Sequence, residues 1–85
     1  MTKLEQKLVE LGYEQGVTLK TLYFKKIYNA RIMLWLNKRC SNITKDSGVL
    51  KNGSIYVRKQ QDIDILQQAF NEMQKDLEEL KKYEQ

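Results

Sequence analysis

Residues 62–83 read DIDILQQAFNEMQKDLEELKKY, and this stretch decides the fold. Its apolar residues recur at intervals of three and four, which places them all on one side of a helix. They are Ile63, Leu66, Phe70, Met73, Leu77 and Leu80. Asp62 and Asp64 lie at the start and Lys81 and Lys82 at the end, so both ends complement the helix dipole. The pattern predicts a long C-terminal amphipathic helix.

The segment before this helix is strongly basic. Residues 17–59 hold ten Lys and Arg and a single acid, Asp46. The formal charge is −1 for residues 1–16, +9 for residues 17–59 and −4 for residues 60–85, which gives the net +4 of the chain. An anionic partner would therefore be drawn to the middle of the sequence.

The N-terminus has the form of a capping box. In Thr2-Lys3-Leu4-Glu5 the Thr2 hydroxyl can accept from the Glu5 amide, and the Glu5 carboxylate can accept from the Thr2 amide. Leu4, Leu8 and Leu11 would form an apolar edge, and Gly12 suits the left-handed residue that ends a helix. A short N-terminal helix is expected.

The middle of the chain favours strands. Residues 18–28 are rich in β-branched and aromatic side chains. In residues 31–37 the aliphatic side chains of Ile32, Leu34 and Leu36 occupy every second position. Strands are predicted at about 20–28 and 30–38, although residues 18–37 would also fit a helix. Asn52-Gly53 predicts a hairpin turn between 49–51 and 54–58.

The fold class expected is α+β in a single domain, residues 1–85. A short N-terminal helix would precede an antiparallel sheet of three or four strands, and the long C-terminal helix would pack on one face. Alternation is expected to turn one set of side chains inward, namely Leu22, Phe24, Ile32, Leu34, Leu36, Ile55 and Val57.

The opposite face of that sheet is the predicted binding surface. Its residues, with the two basic residues that follow the second strand, are Tyr23, Lys25, Arg31, Trp35, Lys38, Arg39, Tyr56 and Arg58. Aromatic rings interleaved with cations suit single-stranded nucleic acid, because bases stack on rings while Lys and Arg contact phosphates. Exposed Lys and Arg also protect strand edges from pairing, so the same pattern has a purely structural interpretation.

The terminal helix raises the alternative of a homodimer. Its apolar residues satisfy a heptad pattern, and about 22 residues span roughly 33 Å, which exceeds the width of a small sheet. The end of the helix would then overhang and contact a second copy. The candidate dimer contacts are Phe70, Met73, Leu77, Leu80 and Tyr83. A helix that simply covers its own sheet needs the same apolar stripe.

Composition argues against catalysis and against metal or cofactor binding. The chain has no His and one Cys, Cys40, so the usual zinc ligand sets and the ordinary general base are missing. A Gly-rich phosphate loop is also missing. No apolar run reaches the roughly 18 residues of a membrane span, and no export signal begins the chain. A non-enzymatic cytoplasmic protein is expected, with no metal and no cofactor.

The chain also resembles a family. The run RKQQDIDILQQAFN at residues 58–71, continued by MQKDL at residues 73–77, resembles small phage and prophage proteins of Gram-positive bacteria. Leu11-Gly12-Tyr13 at the end of the first helix is similar to the same proteins. The resemblance implies a phage accessory role in the bacterial cytoplasm and assigns no site. The leading hypothesis is an anti-defence protein that inhibits a host nucleic-acid machine by stoichiometric binding to a host protein or ribonucleoprotein. Direct binding of DNA or RNA, and assembly through the C-terminal helix, are the alternatives.

Overall fold

The computed structural model describes residues 1–53, 55–60 and 64–85 and has the predicted α+β architecture. Helix α1 (Lys3–Glu10) precedes a five-stranded antiparallel sheet, and helix α2 (Asp64–Lys81) follows it. The strands are β1 (Glu14–Gln15), β2 (Leu22–Ile27), β3 (Ala30–Trp35), β4 (Gly48–Lys51) and β5 (Ile55–Val57), and they lie side by side in chain order.

The sheet has one strand more than the three or four predicted. The additional strand, β1, is only two residues long, and it pairs Glu14 with Phe24 and Gln15 with Tyr23. Its residues are polar and exposed. A strand this short has no hydrophobic alternation, so its sequence gives no sign of it.

The turns form where the sequence places them. Helix α1 has both hydrogen bonds of the capping box between Thr2 and Glu5, and Gly12 after it has φ +98°. A two-residue turn, Tyr28-Asn29, joins β2 to β3. Gly53 between β4 and β5 has φ +93°, but the φ of Asn52 is not positive and Lys51 pairs with Ile55, so the hairpin is present without the two-residue type I′ turn that Asn52-Gly53 predicts. Ser54 lies outside the described residues.

Both helices cover one face of the sheet, and the core lies between them. The fully buried residues include Leu4 and Leu8 from α1, Ile32 and Leu34 from β3, and Leu66, Phe70 and Leu80 from α2. Asp64 begins α2 as an acidic first-turn residue, and Lys81 ends it as a basic last-turn residue. The predicted first helical residues Asp62 and Ile63 lie outside the described residues.

Strand β2 faces the opposite way from the prediction. Tyr23 pairs with Leu34 and Lys25 with Ile32, so both lie on the helix-covered face, while Leu22 and Phe24 point away from the helices. Tyr23 is fully buried and Phe24 only half-buried. The cause is polar bonding, because the Tyr23 hydroxyl and the Lys25 ammonium both bond to acidic side chains beneath the helices. Alternation of apolar residues does not predict these bonds.

The C-terminal helix does not overhang the sheet. Phe70, Met73 and Leu80 are at most 5% exposed and pack into the core of their own chain, and Leu77 and Tyr83 pack against that core. The predicted dimer contacts are therefore used within one molecule, and the geometric premise for dimerisation through this helix is absent. Ile55, predicted to be buried, is 57% exposed at the outer strand of the sheet.

Candidate functional site

One face of the sheet carries no helix among the described residues. We call its apolar and aromatic residues the open face; they are Leu22, Phe24, Met33, Trp35, Leu50 and Tyr56. Each is half-buried by its neighbours in the sheet, and none belongs to the core beneath the helices. Four adjacent strands thus carry partly exposed apolar side chains on the side away from the helices, and a partner seated there would remove further apolar surface from water.

The centre of the open face follows from strand register. Met33 lies between Phe24 on β2 and Gly48 on β4. Gly48 must be a glycine, because a Cβ atom there would lie 2.8 Å from the carbonyl oxygen of Val57. The space that a side chain at Gly48 would need is filled by the Val57 carbonyl and by Arg58, so Gly48 is buried and the end of β5 packs closely against β4 beside Met33.

Trp35 is held firmly at one end of the open face. Its amide donates to the Ser47 hydroxyl at 2.9 Å, and its carbonyl accepts from the Thr44 amide at 2.7 Å. These bonds fix the backbone on the side where β4 no longer pairs with β3. Trp35 shares a surface hollow with Tyr56 and Arg58. A rigidly mounted, half-exposed tryptophan is the type of residue that dominates binding energy in interfaces.

The cations of the open face are largely engaged within the molecule. The guanidinium of Arg31 lies 5.8 Å from the centre of the Phe24 ring, and that of Arg58 lies 5.3 Å from the Tyr56 ring. Arg58 also pairs with Asp46 at 3.5 Å. These contacts order the arginine side chains along the surface, so little conformational entropy is lost when a partner contacts them.

The Tyr56 hydroxyl is a hydrogen-bond donor in this arrangement. It donates to the main-chain carbonyl of Asp46. Burial raises the pKa of Tyr56, although the charge of nearby Arg58 opposes the change. The ring therefore stays neutral at physiological pH and fixes the loop before β4 to the edge of the open face.

The structure brings together half of the predicted binding residues. Arg31, Trp35, Tyr56 and Arg58 lie on the open face as expected. Lys38 and Arg39 do not join them, because they follow β3 and line a different hollow together with Lys3 and Tyr83. Tyr23 and Lys25 are wrong as surface contacts, since both lie beneath the helices.

Buried polar contacts explain the position of Tyr23. Its hydroxyl donates to Glu5 Oε2 at 2.8 Å, and the Thr2 amide donates to Glu5 Oε1 at 2.9 Å. Burial by itself would raise the pKa of the Glu5 carboxyl, but these hydrogen bonds, together with the Thr2 hydroxyl and the positive charge of the N-terminus, hold that pKa below its ordinary value of 4.5. Burial and the neighbouring Glu5 raise the pKa of Tyr23.

A second buried cluster explains the position of Lys25. Its ammonium contacts Asp76, bonds Glu72 at 3.0 Å and the Leu11 carbonyl at 3.2 Å, and lies 4.8 Å from the centre of the Tyr13 ring. Tyr13 donates to Asp76 at 2.8 Å. Burial, followed by the charge of Asp76, raises the pKa of Tyr13. The cluster joins β2 to α2, and each of its polar ends has a partner within the chain, so we assign it a structural role.

Sequence reasoning missed Leu22, Phe24, Leu50 and the exposed cation Lys26. Alternation predicts that Leu22 and Phe24 lie in the core, and Leu50 lies in a strand too short to show alternation. The signal that could have found them is chemical. Tyr23 and Lys25 carry polar ends that can reach acids on a covering helix, whereas Phe24 needs none.

Two further features are missing from the described residues. Within residues 1–53, 55–60 and 64–85, no group of three or more Cys, Asp and Glu side chains is arranged to hold a metal ion. No helix in the described part of the chain is both long and apolar enough to cross a membrane. Comparison with known proteins found no matching family model, curated protein or solved structure.

Proposed function

We propose that this chain is a stoichiometric binding protein that uses the open face to contact a protein partner. The single observation that carries the proposal is the chemistry of that face. Aromatic residues, methionine and arginine are the types enriched at protein interfaces, and Trp35, Tyr56, Phe24, Met33 and Arg31 are all present here. Leu22 and Leu50 add aliphatic surface.

The size of the face fits the proposal. The two longer dimensions of the molecule are 34 and 26 Å, so a whole face covers on the order of 900 Å². A standard interface takes about 800 Å² from each partner. A standard complex would therefore occupy nearly a whole face of this small domain, so the contact would include polar residues around the six residues of the open face.

The resemblance to phage and prophage proteins directs the choice of partner. We propose a host protein or ribonucleoprotein that acts on nucleic acid, which the protein would inhibit by occupying a working surface. The non-enzymatic character predicted from the composition is in keeping with stoichiometric action. The rim cations Arg31 and Arg58 would favour an acidic patch of the host protein or the phosphates of a ribonucleoprotein, and would disfavour the basic path along which a protein binds nucleic acid.

The experiment compares two substitutions of the same kind. Met33→Asp places a charge at the centre of the open face, and Val17→Asp places one at a residue that is 87% exposed and outside it. Wild type and both variants are immobilised and exposed to lysate of a phage-sensitive Gram-positive host, after circular dichroism has shown that all are folded. We expect a partner that is retained by the wild type and Val17→Asp and lost by Met33→Asp.

The partner is then purified and its nucleic-acid activity is titrated with the protein. Inhibition that saturates at one equivalent supports the proposal. If no protein distinguishes Met33→Asp from Val17→Asp, the open face is not the binding site. If a partner binds through the face with full activity retained, the inhibitory role is refuted.

A further inference from the structure

The end of the sheet opposite Trp35 has a different chemistry from the open face. There the turn between β2 and β3 and the turn between β4 and β5 border one hollow, lined by Lys26, Tyr28 and Arg31 and, from the other side of the sheet, by the half-buried Lys51, which pairs with the buried Ala30. Within the described residues, no carboxylate forms an ion pair with any of these three cations. We call this group the turn site.

Two of the cations are placed directly opposite each other. Lys26 on β2 pairs with Arg31 on β3, and both are exposed on the same side of the sheet. Like charges at directly opposed positions destabilise a sheet. An acidic residue at either position would remove the repulsion, so this arrangement weakens the fold and is explained if a bound anion supplies the missing negative charge.

Tyr28 provides a second and independent sign. It is the first residue of the turn between β2 and β3, its φ is +54°, and it is 74% exposed. That backbone conformation favours Gly or Asn and is strained for an aromatic residue. A large ring held in a strained backbone and turned to solvent contributes little to folding. Backbone strain of this kind clusters at binding and active sites, and in this chain Cys40 has the same φ outside the turn site.

We propose that the turn site binds a short segment of single-stranded nucleic acid. Lys26, Arg31 and Lys51 would contact phosphates, and a base would stack on Tyr28. The ring distinguishes this ligand from simple anions, because inorganic phosphate and the carboxylates of Asp and Glu have no planar ring to stack, whereas every nucleotide carries one beside its phosphate. It also favours a single strand, since the bases of a duplex are already stacked and paired. The site does not depend on a protein partner at the open face.

Three variants test the site, and two of them have an unusual expected signature. Lys26→Glu converts the repulsive pair with Arg31 into an attractive one, and Tyr28→Gly relieves the strained backbone. Both should raise the melting temperature of the free protein and at the same time weaken nucleic-acid binding. Lys45→Glu is the control, because it makes the same charge change at an exposed residue outside the turn site.

Binding is measured by fluorescence anisotropy with labelled oligothymidylate, oligouridylate and a DNA duplex at about 50 and 200 mM salt. Three phosphate contacts predict a slope of about −2 in log affinity against log salt, or roughly a 20-fold loss over this range. Lys26→Glu leaves one net positive charge at the site, so the affinity of this variant should fall only about 3-fold between the two salt concentrations. Tyr28→Gly should weaken binding by roughly 5- to 150-fold with an unchanged slope, since stacking contributes about 1 to 3 kcal/mol.

The outcomes separate this site from the proposed protein interface. Met33→Asp should bind oligonucleotide nearly as the wild type does, apart from the effect of one added charge that Val17→Asp also shows. Wild type that fails to bind at 50 mM salt overturns the inference. The inference is also overturned if Lys45→Glu binds oligonucleotide as weakly as Lys26→Glu, because binding would then depend only on net charge. Tighter binding to the duplex than to the single strands would overturn it as well.

Discussion

Replacing Lys25 by methionine tests the buried cluster that sets the orientation of β2. The side chains of Lys25 and Asp76 are 13% and 3% exposed, and their charges are in contact. Methionine keeps most of the volume of the lysine stem but leaves the Asp76 carboxylate with only the Tyr13 hydroxyl as partner. Removing one member of a buried ion pair costs about 3 to 5 kcal/mol. A domain of this size has a total stability of roughly 4 to 13 kcal/mol.

Two matched variants show whether the loss comes from the charge. Asp76→Asn should cost less, about 1 to 3 kcal/mol, because Lys25 keeps Glu72 and the Leu11 carbonyl. The double variant should be more stable than the two separate losses imply, by about 1 to 3 kcal/mol of coupling. Lys26→Met changes the neighbouring lysine on the opposite side of the same strand, and we expect a change within about 0.5 kcal/mol.

These differences in stability are measured by urea unfolding. The fluorescence of Trp35, the only tryptophan, and circular dichroism both report the transition. With a slope of at least about 1 kcal/mol per molar urea, a loss of 3 kcal/mol moves the midpoint by up to about 3 M. If Lys25→Met and Lys26→Met are equally mild, Lys25 lies in solvent. The orientation of β2, and with it the composition of the open face, would then be refuted.

Three further predictions follow from burial and from the pKa changes. The pKa of Glu5 is below 4.5 in the folded state, so the Glu5 carboxylate stabilises the fold fully above pH 4.5, and this contribution is lost as the pH falls through the folded pKa. The urea midpoint should therefore fall more steeply between about pH 5 and pH 3 for the wild type than for Glu5→Gln. Because the pKa of Tyr13 is raised, its contribution is full below about pH 10 and is lost as the pH rises further, so Tyr13→Phe should show a shallower alkaline loss. Leu80 is fully buried in its own chain, so Leu80→Ala should cost about 2 to 5 kcal/mol at every protein concentration; a cost that changes with concentration would restore the helix dimer.

Much of the fold could be predicted because its signals are local. The capping box of Thr2 and Glu5, the positive φ of Gly12 and the hairpin at Asn52-Gly53 each depend on a few adjacent residues, and all are present. The stripe on α2 needs only the helical period, and Leu66, Phe70, Met73 and Leu80 are buried accordingly.

The candidate site was harder to predict because β2 depends on partners far away in the chain. Leu22 and Phe24 are more apolar than Tyr23 and Lys25, so alternation places them in the core. The choice is reversed by Glu5, 18 residues before Tyr23, and by Asp76, 51 residues after Lys25. A buried polar group is acceptable only when it is fully hydrogen-bonded, and sequence spacing does not show which distant residues will meet.

This reversal changes the functional argument as well as the fold. With Tyr23 and Lys25 outside, the sheet would have presented alternating rings and cations across its centre, as a nucleic-acid surface does. With Phe24 and Leu22 outside, the centre is apolar, and the cations that remain there are stacked on rings or paired. Arg31, which stacks on Phe24 at the edge of that centre, also opposes Lys26 beside Tyr28, so it belongs to both the open face and the turn site. Apolar binding and phosphate binding thus fall at adjoining places that share Arg31, and a target composed of protein and nucleic acid would be able to contact both.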